Sequence, residues 1–262
     1  MRRALPIYVV SICLLLMAPI VIVVILAFSG AGYLQFPPVS FSLRWFARFL
    51  GDPQWRASLW YSVVIAAIAC AVATVVGFFA AYAFVRGAFP GKKLLLSLLL
   101  LPIIVPTVIT AIAMYFLAAR WHLVGNLVWI GICHAVIALP VVLLILLSSL
   151  QGVDPNLERA ALSLGASRAR LFLRVVVPLA APGLISAALF AFLASFDELI
   201  ISLFLTGIRA QTLPVRIWNS LHLEIEPTIA AVSAFLIGVT ALVLLIDFLL
   251  RGRRAATMNA QR

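Results

Sequence analysis

The sequence predicts an all-α, polytopic membrane protein with six transmembrane helices, both of whose ends lie in the cytoplasm. Three observations carry this. Hydrophobic residues make up 65% of the 262-residue chain and charged ones 10%, with a mean hydropathy of +1.21, far outside the range of soluble domains. Apolar runs long enough to cross a bilayer recur along the chain. The basic residues flank those runs, so the net charge of +11 reads as membrane topology and not as affinity for nucleic acid.

The first span is expected over Ile7 to Phe28. Arg2-Arg3 before an apolar run imitates a signal peptide, but the run is long and lacks a small-x-small exit, which predicts a retained span. Gly30, Gly32, Pro37, Pro38, Gly51 and Pro53 then break up any long periodicity, leaving room for an interfacial helix in SLRWFARFL. The second span is expected over Ser58 to Val85, with Ala69, Ala73, Gly77 and Ala81 forming a ridge of small residues that lets a neighbour approach. The turn RGAFPGKK resembles a fragment of a phosphate-binding loop. It has three residues between its glycines, and Lys93 stands where a Ser or Thr is needed, so no nucleotide site is expected there.

The third span, Leu94 to Ala118, contains Pro102 and Pro106, which predict either a kink or an opening along a path. The fourth is Leu127 to Leu150, with His134 expected to hydrogen-bond inside the bundle. The fifth is Leu179 to Leu205 and holds Asp197-Glu198, while the sixth is Thr228 to Leu250. Cys13, Cys70 and Cys133 lie inside apolar segments and are expected to be small buried hydrophobes without metal or redox roles; no cofactor is implied.

Six spans place both ends on one side. With that side cytoplasmic, it holds Arg2, Arg3, Arg86, Lys92, Lys93, Arg159, Arg168, Arg170, Arg174, Arg251, Arg253, Arg254 and Arg262, 13 of the 19 basic residues. It also holds the longest polar interval of the later half, Asp154 to Pro178. That interval reads as two short helices, Leu157 to Leu164 and Ser167 to Val175. Asp154 caps the first, with Pro155 in its first turn; Ser167 caps the second, and Gly165 turns the chain between them. Arg168, Arg170 and Arg174 make the second helix basic and amphipathic, suited to lipid headgroups or to a protein partner.

The spacing Arg159-Ala160-Ala161-x3-Gly165-x9-Val175-x-Val177-Pro178 resembles the E-A-A-x3-G-x9-I-x-L-P pattern of ABC-importer permease subunits (type I), in the same position before the penultimate span. The departures are Arg159 for the usual Glu and valines for Ile and Leu, with Glu158 one position earlier. The resemblance spans roughly residues 55–255. It implies that Glu158, Arg159, Ala160, Ala161, Gly165 and Pro178 belong to a loop that docks in a groove of an ATP-hydrolysing subunit. The expected partners are a homologous second permease, two cytoplasmic ATP-binding subunits, an extracytoplasmic substrate-binding protein and membrane lipid. The expected location is the bacterial inner membrane. The chain itself is expected to be a transport subunit and not an enzyme. Its domains are then 1–57, the first helix with an extracytoplasmic segment; 58–253, a five-span permease core with the loop 154–178; and a cytoplasmic tail, 254–262.

The text SFDELIISLFLTG, followed by TLPVRIWNSLHLEIEPTIAAVS, is similar to the second permease of polyamine (spermidine/putrescine) importers. Asp197 and Glu198 facing a pathway would suit a polycationic amine; the same carboxylates can instead pair within the bundle. Adjacent helical residues lie about 100° apart, so both are not expected to face one pore. The segment with Trp218, Asn219, Glu224 and Glu226 is expected as an extracytoplasmic loop, suited either to a binding protein or to plain solvent. The alternatives are a permease for an opine, ferric iron, thiamine or sulfate, and a proton-coupled transporter using Asp197, Glu198 and His134.

Overall fold

The computed structural model describes residues 4–208, 210–223 and 226–259. Its helices, in chain order, begin with α1 (Ala4–Ala27), α2 (Arg44–Gly51) and α3 (Pro53–Arg86). Next come α4 (Lys92–Leu100) with a 3-10 turn over Leu101–Ile103, α5 (Thr107–Arg120) and α6 (Leu127–Gln151). They are followed by α7 (Pro155–Ser163), α8 (Arg168–Phe196), α9 (Ile200–Leu205), α10 (Leu213–Leu223) and α11 (Thr228–Asn259). Among the described residues the only extended pairing is an isolated bridge between Ser29 and Phe41. Helices α1, α3, α6, α8 and α11 are each long and apolar enough to cross a membrane, and α4 with α5 qualifies as a sixth crossing if the bent pair counts as one.

That pair corrects the expectation of a single span over Leu94 to Ala118, because its two arms are bent by 97°. Pro102 and Pro106 each lack an amide hydrogen, and Pro106 has an extended ψ of 128° as the residue that opens α5. The fifth span also differs. It starts at Arg168 instead of Leu179, ends at Phe196, and is separated from α9 by Asp197–Leu199. The tail expected from residue 254 is helical as far as Asn259. Arg2, Arg3, Arg209, Glu224 and Arg262 lie outside the described residues.

The chain divides into two compact units. The first comprises Met1–Leu59 and Leu213–Leu242. Its core is built on Phe49, Trp55, Leu213 and Val232. Helix α2 buries Trp45 and Phe49 and keeps Arg44 and Arg48 outside, as an interfacial helix should. The stretch expected as a loop after the fifth span is largely the helix α10; beside it Arg48 pairs with Glu226 at 2.9 Å and Arg216 Nη2 donates to Gln54 Oε1 at 2.6 Å. Most of α1 up to Ile22 is exposed, burial beginning only toward Ala27, and Cys13 is exposed there, contrary to expectation.

The second unit, Trp60–Thr212 with Val243–Arg262, is organised around α6, more than half of whose apolar window is buried. Apolar side chains gain little by leaving lipid for one another, so such helices are held by close packing. The small-residue ridge provides it. Ala69, Ala73 and Ala81 are buried, and a Cβ at Gly77 would lie 2.7 Å from Val142 Cγ1 of α6. Gly131 of α6 meets Ile68 of α3 as tightly, and Gly183 of α8 meets Ser149 of α6. Cys133 is buried and Cys70 partly so, its Sγ donating to the Ala188 carbonyl.

Candidate functional site

Two polar regions interrupt this apolar unit. The first is the stretch from Asp154 to Pro178. Asp154 Oδ1 accepts from Asn156 N at 2.9 Å and starts α7, with Pro155 at its first position. The α7 helix ends at Ser163, and beyond its cap residue Leu164 comes Gly165, whose φ of +82° is the left-handed turn that glycine adopts at little cost. Ser167 Oγ then accepts from Arg170 N at 3.3 Å and caps α8.

From there the chain departs from two separate short helices. α8 passes through a π turn over Phe172–Val176 and continues without interruption to Phe196. Pro178 explains the wide turn. It has no amide hydrogen, and its ring would crowd the Arg174 carbonyl in a regular helix; the Val177 amide reaches back instead to the Phe172 carbonyl. The basic helix is therefore the first part of a membrane span. Phe172 fixes it to α3, stacking on Phe79 and meeting Phe78 and Tyr82, each with ring centroids 5.4 Å apart.

The charged neighbours on α7 point in opposite senses. Glu158 is buried: its Oε1 takes a 2.7 Å bond from Arg86 Nε, and its Oε2 accepts from Tyr82 Oη at 3.2 Å. Arg86 also donates to the Val153 carbonyl at 2.8 Å, so the end of α3 is tied to both ends of the turn that leads into α7. Arg159 and Ala160 are exposed, as are Leu157, Leu162 and Leu164, the last at 88%. A socket of about 240 Å³ opens between Ala161, Leu164, Ala166, Arg170, Arg174 and Val175.

The second region is the break between α8 and α9. Asp197 closes α8 and is exposed, while Glu198 turns inward. Glu198 caps α9, with Oε1 accepting from Ile200 N at 3.0 Å and Oε2 from Ser202 N at 3.1 Å. Its carboxylate lies 3.6 Å from Nε2 of the buried His134, which also meets Ser195 Oγ at 2.8 Å and Ser202 Oγ at 3.2 Å. His134 is thus held within the bundle by α8 and α9, as its position in the sequence suggested. Glu198 and Asp197 face different surroundings.

Arg86 and Tyr82 escaped sequence reasoning because they reach Glu158 across more than seventy residues. Asp247, inside the sixth span, was also missed, although an acid in an apolar run is a signal in itself. Its buried Oδ1 accepts a hydrogen bond from Ser186 of α8. Ser186 in turn lines a groove between α6 and α8.

Residues 73–255 match the family described as the binding-protein-dependent transport system inner membrane component. The putrescine transport system permease protein PotI of Escherichia coli (strain K12) is 30% identical over 245 residues, 91% of this chain and 87% of that protein. The spermidine/putrescine transport system permease protein PotC of Haemophilus influenzae is 30% identical over 237 residues, 89% of this chain and 91% of its own. Among solved structures, a bacterial ABC transporter involved in the import of the acidic polysaccharide alginate shares the fold with a TM-score of 0.69 at 15% identity, covering 95% of this chain and 94% of that one.

Proposed function

The chain belongs to the binding-protein-dependent transport system inner membrane component family, and from that membership we propose that it is one of two permease subunits of an ATP-driven importer for a polyamine or related small organic cation. The observation that carries the coupling is the construction of the Asp154–Pro178 module. Its outward face offers Leu157, Leu162, Leu164 and Arg159 to a partner, while its inward face is locked to two membrane helices. Small exposed Ala160 and the socket beside Arg170 and Arg174 suit a groove-and-plug contact with an ATP-hydrolysing subunit. The positive-inside distribution supports a cytoplasmic position for this face, where ATP is.

Transport then runs by alternating access. Two ATPase subunits close on ATP and displace α7. The Arg86–Glu158 pair passes the displacement to α3, and the unbroken π turn passes it to α8. Because α6 contacts both helices through glycine-sized gaps, the three move as one body and do not slide. No nucleotide chemistry is assigned to this chain: Gly91 only turns the backbone into α4, and Lys92 Nζ is bonded to the Gly87 carbonyl. A substrate-binding protein delivers cargo on the opposite face. The preference for a cationic amine rests on the putrescine and spermidine/putrescine relatives and on the acids set into the membrane part, Asp197 and Asp247.

The test is uptake into proteoliposomes holding this chain, its partner permease and the ATPase subunits, with putrescine-loaded binding protein outside. Uptake should require ATP and all components. Uptake by this chain alone on a proton gradient would overturn the reading in favour of an ion-coupled transporter.

A further inference from the structure

Two spans of the second unit are interrupted, the third between α4 and α5 and the fifth between α8 and α9. Their later parts come together: α9 packs on α5 and α6, in a core of Ile65, Ala111, Ile130, Cys133, Ile201 and Leu205. The larger core of the unit, shared by α3, α6 and α8, begins on α6 at Ala135. His134 stands at the boundary between the two cores. We propose that His134 carries the displacement of α8 across the break at Asp197–Leu199 to α9 and α5, and so acts as a positioning residue for transport. The proposal rests on the reading of the chain as an ATP-driven permease.

A helix passes a push along its axis while its backbone is continuous. α8 is unbroken for 29 residues, about 43 Å at ~1.5 Å each, and stops at Phe196. Past that point Glu198 N reaches the Ser195 carbonyl at a long 3.3 Å, and the Glu198 carboxylate serves the amides of α9 itself. The stronger tie comes from the side. His134 Nδ1 meets Ser195 Oγ in the last turn of α8 at 2.8 Å, and Nε2 meets Ser202 Oγ of α9 at 3.2 Å. A neutral imidazole has one donor and one acceptor nitrogen, and a serine hydroxyl fills either role, so one ring holds both bonds.

The surroundings make this bridge stiff. His134, Ser195 and Ser202 are each no more than 4% exposed, in an interior where a hydrogen bond is stronger than in water. His134 rides on α6, which is packed against α8 at Gly183 and so shares its motion. The far end of α9 is fastened as well: Gly125 N, in the turn between α5 and α6, donates to the Leu205 carbonyl at 2.8 Å. Held at both ends, α9 moves with its neighbours and does not swing at the break.

The competing role for His134 is local, a polar side chain that fills the seam between two cores. Either role makes the permease less stable when His134 is removed, so stability does not separate them. The ratio of cargo imported to ATP hydrolysed does, in the reconstituted complex with putrescine-loaded binding protein, scaled to assembled transporter. His134→Ala should keep ATP hydrolysis, because the docking module is untouched, and lower the ratio by about fivefold or more, the scale of coupling between linked sites. His134→Gln, whose amide both donates and accepts, should restore part of it. Ser195→Ala and Ser202→Ala each cut one side of the bridge and should lower the ratio by smaller factors. If His134→Ala does not assemble, the two serine variants decide. An unchanged ratio in every variant that assembles would overturn the proposal and leave His134 a filler of the seam. Absence of ATP-driven import by the unsubstituted complex would instead remove the permease reading beneath it.

Discussion

Glu158-Arg159 on α7 and Asp197-Glu198 at the end of α8 are both adjacent charged pairs, and in each pair one glutamate turns inward while its neighbour is exposed. The inward partners differ in kind. Glu158 meets a guanidinium and a phenol from a distant helix, so it joins two elements. Glu198 meets the backbone amides of the helix that follows it, with His134 alongside, so it mainly completes a local cap. One acid therefore holds the module to the bundle and the other holds a broken span in shape. The exposed neighbours are Arg159 and Asp197.

The comparison breaks most readily at Glu158. Removing it as Glu158→Ala leaves the Arg86 side chain, 18% exposed, without its carboxylate and should cost roughly 3 kcal/mol, the scale for breaking a buried pair. Thermal unfolding of the purified permease in detergent reads this. Exchanging the charges, Arg86→Glu with Glu158→Arg, should recover part of the loss; no recovery would mean the pair is not a unit.

Glu198→Ala should cost less, about 1–2 kcal/mol, as loss of a helix cap does, and Glu198→Gln should cost less again because an amide oxygen still accepts from Ile200 N or Ser202 N. An equal loss for Ala and Gln would show that the negative charge matters and not the cap. Arg159→Ala is expected to shift stability by no more than about 0.5 kcal/mol, since its contact is a long 3.4 Å bond to Asn156 on an exposed surface. Its effect should appear instead as weaker association with the ATPase subunits, measured by co-purification. A large stability loss would place Arg159 in the fold and not at the interface.

Much of this was legible in the sequence because it depends on local rules. Asp154, Ser167 and Gly165 are a cap, a cap and a turn wherever they fold, and the Ala69–Ala81 ridge announces close packing by spacing alone. The apolar runs located the spans for the same reason. What was not legible depends on partners remote in the chain. Nothing near Glu158 indicates that it faces Arg86, and nothing near Asp247 names Ser186. The prolines were visible, but their consequences were not. Pro102 and Pro106 accompany a 97° bend between α4 and α5, whereas Pro178 costs only one wide turn in α8. Aromatic packing of Phe172 on α3 holds the helix together at Pro178. The 3-10 turn through Pro102 has no buried residue to do the same.

Gly165 gives the most direct test of the proposed docking role, because it joins α7 to α8 and no atom crowds a side chain placed there. Its φ of +82° is strained for a β-branched residue, by roughly 1–2 kcal/mol, yet no atom lies within 4 Å of a Cβ placed there. Gly165→Val should therefore insert and assemble normally but misplace α7 against α8. The measurement is the ratio of cargo imported to ATP hydrolysed in the reconstituted complex. A steep fall in that ratio, with hydrolysis continuing, is the result expected of a coupling module; an unchanged ratio would contradict it.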